Sequence, residues 1–203
     1  TADALRAGGI NSEIDSDSLS NYFSLQYCPA PKSIYKEIRK LPAGHFLCLD
    51  LSSGQLKQQQ YWTLPLTEKR PPEKNEIDIL RDTIKESVRA WSLSDVPVSV
   101  SLSGGLDSSC IASLVAAENY KIPAYTLRVR GVPSEQDEFP LASLVAKRFG
   151  LDHRCVEVDE DLLLSSLDEI MESLDEPYAG GLPSWFIYKA MQKDGIKVCL
   201  TGT

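Results

Sequence analysis

The 203 residues carry a formal charge of -8 with 42% hydrophobic side chains, enough apolar content for one sizeable core and part of a second. A surface this negative repels phosphate backbones, which argues against nucleic acid as the main partner, while leaving room for a local nucleotide pocket. No apolar run is long enough to span a membrane, no charged segment leads into one, and Cys28, Cys48, Cys110, Cys155 and Cys199 form no CxxC pair; the expectation is a cytoplasmic protein in a reducing compartment, without a membrane partner.

In chain order, residues 1–64 read as the end of a domain. A helix-like stretch ends near Gly8-Gly9 and another runs from about Leu19 to Gln26, before Pro29 and Pro31. Gly44 to Asp50 then reads as a strand, and Ser53-Gly54 as a turn into a second strand ending at Tyr61-Trp62. Residues 65–74, with Pro65, Pro71 and Pro72, have the composition of a linker.

Residues 75–203 form the second domain. Ile77, Leu80, Ile84, Val88 and Trp91 recur at spacings of three and four, one helix face expected to pack on a sheet. Val96 to Leu102 reads as a strand running into Ser103-Gly104-Gly105-Leu106-Asp107-Ser108-Ser109, and Ser108 to Glu118 as a helix with Ile111, Leu114 and Val115 inward. Strand-like Ile122–Val129, His153–Val158 and Ile196–Leu200 alternate with helical Leu141–Phe149, Leu162–Leu174 and Trp185–Gln192. Alternation of this kind predicts an α/β fold, a mostly parallel sheet with flanking helices. The chain stops at Thr201-Gly202-Thr203, where an open sheet normally turns into a further binding loop, so a fragment of a longer protein is expected.

The 103–109 loop carries the chemistry. Two adjacent glycines let backbone N–H groups approach phosphate oxygens, and the following helix adds its positive end. Ser103, Ser108 and Ser109 supply hydroxyl donors, whereas Asp107 suits phosphate only with magnesium between the two negative groups, making it the candidate metal ligand. A plain surface turn has similar composition, but the position between a strand and an amphipathic helix favours a phosphate loop. The Gly-Lys-Ser/Thr ending of a Walker loop is missing, which points to cleavage between the α and β phosphates. His45 and His153 lie too far apart, without clustered cysteines, to found a zinc site, and both read as hydrogen-bonded histidines.

The loop resembles that of the PP-loop ATP pyrophosphatases and, among them, the glutamine-dependent asparagine synthetase family. Glu13-Ile14-Asp15, Pro31 to Lys36 and Lys40-Leu41-Pro42-Ala43-Gly44-His45 resemble the closing segments of that family's Ntn-type glutaminase domain. Gln136-Asp137-Glu138, Asp175-Glu176-Pro177 and Lys197 to Gly202 follow in the family's order. The resemblance implies an adenine nucleotide α-hydrolase-like fold, with ATP and Mg2+ as cofactors. It also implies a two-step reaction in which a carboxylate such as aspartate is adenylated with release of pyrophosphate, then amidated by glutamine-derived ammonia. Besides the loop, Ser101 and Leu127 would line the adenosine pocket, and Thr201 and Gly202 would open a second nucleotide loop. A homodimer is the open assembly expectation.

Two departures stand beside this resemblance. The family's amino-terminal cysteine nucleophile has no counterpart, since the chain begins with Thr1 at the far end of that domain, so no catalytic set is complete in this stretch. Thr203 stands where asparagine synthetases carry a glutamate, which opens other acids, ring closure as in β-lactam synthetases, or a nucleotide-binding module without activity. A tRNA-modifying relative would need a basic face that the charge does not offer. Asp137-Glu138 reads as a helix start, Asp175-Glu176-Pro177 as a helix-ending turn without chemistry, and Cys110 as a packing residue.

Overall fold

The computed structural model describes residues 2–65, 75–118, 122–176, 178 and 180–202. The chain divides into two units, one of Thr1–Pro71 with Met171–Ala179 and one of Pro72–Ile170 with Gly180–Thr203.

The first unit holds α1 (Ala2–Ala7), α2 (Ser16–Leu25) and an antiparallel hairpin of β1 (His45–Leu49) and β2 (Leu56–Gln60). Asp15 starts α2 by accepting the Ser18 N–H at 2.8 Å, and Gln26 ends it in the left-handed region, its N–H returning to the Tyr22 carbonyl at 2.7 Å. The hairpin turn is organised by Asp50, whose carboxylate accepts from the Ser52 hydroxyl at 2.6 Å and from the Ser53 and Ser52 amides at 3.1 and 2.8 Å; the hydroxyl bond first, then the amides, hold its pKa down at about 2. Cys28 and Ile34 are the buried apolar centre, with Ser18 and Ser33 buried beside them.

The second unit contains α3 (Glu76–Ser92), β3 (Val98–Ser101), α4 (Leu106–Ala117), β4 (Pro123–Val129), a short 3-10 turn (Ser134–Gln136), α5 (Phe139–Phe149), β5 (Asp152–Val158), α6 (Glu160–Ser173), α7 (Gly181–Lys193) and β6 (Val198–Leu200). The four strands run parallel in the order β5-β4-β3-β6, as the alternation of elements predicts. Val100, Leu102 and Ala124 of the sheet region pack with Val88, Ala112, Val115, Ala142 and Ala146 of α3, α4 and α5. Tyr125 instead packs with Ile187 and Met191 of α7. Adjacent residues of β4 point to opposite faces, so Ala124 and Tyr125 belong to separate clusters on the two sides of the sheet.

One helix departs from expectation. Of the α3 stripe, only Ile84 and Val88 reach the core, while Ile77, Leu80 and Trp91 are 74%, 59% and 73% exposed. The helix packs on α4 rather than along the strands, so one turn of the stripe finds an apolar partner. The 65–74 linker, apart from Pro65, and Thr203 lie outside the described residues. Among the described residues no helix is long and apolar enough to cross a membrane.

Candidate functional site

At the carboxyl end of β3 the chain leaves the sheet through Leu102, whose N–H still pairs with the Tyr125 carbonyl at 2.8 Å. It then turns sharply at Gly104, where φ is +79° and an added Cβ would lie 2.6 Å from the Ala142 amide and 2.7 Å from Leu141 Cβ. Both the positive φ and the close approach of α5 require glycine.

A web of hydroxyls sets the rest of the turn. The Ser108 side chain, buried, accepts the Ser103 N–H at 3.2 Å and lies 2.9 Å from the Ser103 hydroxyl, while the Gly105 N–H donates to Ser103 Oγ at 3.2 Å. The first intrahelical bond of α4 runs from the Ser109 N–H to the Gly105 carbonyl at 3.0 Å. Gly105, at the N-cap, brings no side chain, so no side-chain acceptor caps the first turn. Polar N–H groups with the helix dipole behind them form a seat for an anion.

The loop after β6 completes this seat. A Cβ on Gly202 would come within 2.5 Å of the Ser108 amide and 2.7 Å of the Asp107 carbonyl carbon, so the Thr201-Gly202 backbone lies directly against the start of α4. Ser101, Ser103, Gly105, Leu106, Asp107, Ser108, Thr201 and Gly202 line one cavity of about 290 Å³. A neighbouring cavity of about 350 Å³ shares Ser101 and Ser103 and extends to Leu127. Two of the sequence-derived candidates stand apart. Gly104 faces α5, and Ser109 Oγ is buried without a hydrogen-bond partner.

Asp107 lines the first cavity from the first turn of α4. Among the described residues no three His, Cys, Asp or Glu side chains gather as a metal cage. One carboxylate beside a phosphate seat is the donor set magnesium takes when phosphates and waters supply its remaining ligands, so the residues fit that ion.

The structure adds residues that local sequence reasoning missed. Ser184, Ile187 and Tyr188 of α7 form a wall of the first cavity, and Ser184 and Ile187 line the second as well. Nothing in the periodicity of α7 marks that edge, because its position is set by packing against Tyr125. The structure also separates Asp137 from Glu138. Asp137 accepts from Arg128 Nε at 3.1 Å and from the Phe139 N–H at 3.1 Å, which accounts for it as an anchor of α5, although it and Glu138 both border the second cavity. His153 stacks on Phe139 with 5.1 Å between ring centroids and lies 2.8 Å from the Thr126 hydroxyl. Cys110 is half-buried in α4.

Residues 79–203 match the family described as asparagine synthase, and residues 1–62 match the glutamine amidotransferase domain. A protein of Methanocaldococcus jannaschii, provisionally named an asparagine synthetase (glutamine-hydrolyzing), is 29% identical over 93% of this chain and 37% of its own length. Asparagine synthetase (glutamine-hydrolyzing) 1 of Bacillus subtilis is 29% identical over 94% of this chain and 30% of its own. The chain thus spans about a third of the length of these curated relatives. Among solved structures, NMN synthetase of Francisella tularensis aligns with a TM-score of 0.41 at 15% identity, over 64% of this chain and 54% of that one. With its family match extending over more than half of its residues, the chain belongs to the asparagine synthase family.

Proposed function

We propose that this chain is part of an ATP-dependent amide synthetase that draws its nitrogen from glutamine, and that the 103–109 loop binds the pyrophosphate portion of ATP. The observation that carries the reading is the fixed glycine turn leading into a helix start without a side-chain cap, placed between β3 and α4 in an asparagine synthase family chain. In the reaction, a carboxylate oxygen attacks the α-phosphorus of ATP and the bond to pyrophosphate breaks. The nitrogen of ammonia then attacks the acyl carbon, and AMP leaves.

The chain's own residues contribute position and electrostatics. Amides of Leu106, Asp107 and Ser108 at the start of α4, together with a proton of the Ser103–Ser108 hydroxyl pair, stabilise negative charge building on the leaving pyrophosphate. Asp107 would hold magnesium, which when bound would neutralise part of that charge. Ser101 and Leu127 border the space for the nucleoside, and Thr201-Gly202 closes the phosphate side. Residues 1–64 belong to the glutaminase domain, 65–74 to the linker and 75–203 to the synthetase domain; assembly as a homodimer and a cytoplasmic location complete the proposal.

A second reading keeps adenylation and changes the acid. It is favoured by Thr203, which stands where asparagine synthetases carry a glutamate; two fungal relatives of similar identity, chyE of Penicillium rubens at 27% and chry2 of Gibberella zeae at 28%, are named amidases and not asparagine synthetases. The test uses the full-length protein with MgATP, glutamine and a panel of carboxylates including aspartate. Formation of AMP and pyrophosphate is expected, and ADP with phosphate overturns the loop assignment. Turnover with an acid other than aspartate, and none with aspartate, selects the second reading.

A further inference from the structure

Between the end of β4 and the start of α5 at Phe139 the chain crosses residues 130–138. Val132, Gln136, Asp137 and Glu138 of this segment line the second cavity, beside Leu127 and Val129 of the strand. Its internal backbone bonds are local: the Gln136 N–H donates to the Pro133 carbonyl at 2.9 Å and the Asp137 N–H to the Ser134 carbonyl at 3.3 Å. Bonds of this kind shape a turn without fixing where it sits on the sheet. The start of the segment is tied to β5 by the Arg130 N–H, which donates to the Val158 carbonyl at 2.8 Å. Its end is held by a side chain.

Arg128 stands between Leu127 and Val129 on β4, so its side chain leaves the sheet on the face opposite to the two that line the cavity. There Nε and Nη2 both reach Asp137 Oδ2, at 3.1 and 3.0 Å, while Asp137 Oδ1 accepts the Phe139 N–H at 3.1 Å. The guanidinium also lies over the Phe139 ring, 5.2 Å from its centroid. Ion pairs with both partners in water add little, but the Asp137 side chain is only 14% exposed, and a carboxylate so shielded needs its cation. One arginine thus sets both the last residue before the α5 cap and the first residue of that helix.

We propose that Arg128 is a positioning residue for the nucleoside: through Asp137 it fixes the end of the 130–138 segment, and with it the Gln136–Glu138 wall of the second cavity. This rests on the proposed assignment of that cavity to the nucleoside of ATP. The phosphate seat lies on the first cavity, which none of these residues lines, so the two parts of the nucleotide should respond differently to loss of the pair.

The test is calorimetric titration of MgATP, and separately of magnesium pyrophosphate, into the full-length protein and its Arg128→Ala, Asp137→Asn and doubly substituted variants. Asparagine keeps an acceptor for the Phe139 N–H and loses the charge that holds Arg128. Each single variant is expected to weaken MgATP binding by roughly threefold to thirtyfold, the range for residues that modulate a site without touching its ligand, with pyrophosphate affinity unchanged. The double variant should lose no more than the weaker-binding single one, because both remove the same tie. Unchanged MgATP affinity in the single variants, losses that add in the double variant, or an equal fall in pyrophosphate affinity overturns the proposal, the last by showing a general loss of structure. A wild type that binds neither MgATP nor magnesium pyrophosphate overturns the site assignment itself, a separate result.

Discussion

The two ends of the parallel sheet are built from different chemistry. At the carboxyl ends of β3 and β6 the chain uses glycine, serine and backbone amides, and among the described residues lining the first cavity Asp107 is the one acidic or basic side chain. At the amino ends, Arg154 of β5 reaches Asp194 at 2.6 Å and the Tyr125 hydroxyl at 3.0 Å, and Tyr125 donates to the same Asp194 oxygen at 2.5 Å. One end satisfies its charges within the protein, whereas the other keeps N–H dipoles of a helix start on a cavity, the place proposed for the nucleotide. Stability and binding are thereby assigned to opposite edges of one sheet, and substitutions should separate them.

The largest effect is expected at Gly104. Gly104→Ala forces a side chain into the left-handed region and against the backbone of α5, which should cost ~3 kcal/mol or more and abolish MgATP binding. Urea unfolding and nucleotide titration of the same sample measure both. A variant of wild-type stability would show that the turn is not constrained as described. Ser108→Ala comes next. It removes the acceptor of the Ser103 N–H and the partner of the Ser103 hydroxyl, so it should cost ~1–3 kcal/mol and weaken MgATP binding by roughly tenfold. If its affinity stays intact, the serine web serves folding alone.

Tyr125→Phe probes the other end. The ring stays to pack on Met191 and Ile187, and Arg154 keeps Asp194, so the loss is two hydrogen bonds to partly exposed ions, the one donated to Asp194 and the one accepted from Arg154, together ~1–2 kcal/mol. MgATP affinity should not change. Burial, then the bond to Asp194, pushes the Tyr125 pKa up to about 12 from 10.0, so the folded protein retains this proton longer than the unfolded chain. The associated stability is complete below pH 10.0 and is lost as pH rises through about 12. The phenylalanine variant should therefore show a shallower loss of urea midpoint over that alkaline window.

The contrast between the ends was only half legible in the sequence. Ser103 to Ser109 could be read because one short segment holds both the glycines and the donors, and the flanking periodicities locate it between a strand and a helix. Ser184 and Tyr188 could not be read, since their place on the cavity depends on which side of the sheet α7 packs. The Tyr125, Arg154 and Asp194 cluster joins residues up to 69 positions apart, and it arises from the β4 to β5 register that sets Tyr125 beside Arg154. Asp175-Glu176 reads locally as a turn because its partners Ala2 and Lys40 are remote in sequence. The α3 stripe is apolar over a longer stretch than the core covers, since periodicity shows that a face is apolar without showing how much of it meets a partner.

His153 supplies the smallest effect and lies on β5 just before Arg154, beside Thr126 of β4. The Thr126 hydroxyl donates its single proton to the Leu102 carbonyl at 2.6 Å, so at its contact with the imidazole it must accept, and His153 Nε2 carries the hydrogen. Nδ1, 3.4 Å from the Ser143 hydroxyl, is then the acceptor of a neutral ring. Burial disfavours the imidazolium and lowers the pKa from its ordinary 6.5. The unfolded chain therefore takes up the proton first as acid is added. Stability from this group is present above pH 6.5 and declines as pH falls through the depressed folded value. Urea midpoints at pH 7.5 and at about pH 5.5 should differ for the wild type, and by less for His153→Gln, whose amide can still donate to Thr126 without titrating. Equal pH dependence in the two proteins would mean that His153 binds its proton equally well folded and unfolded, so that burial does not disfavour the imidazolium as described.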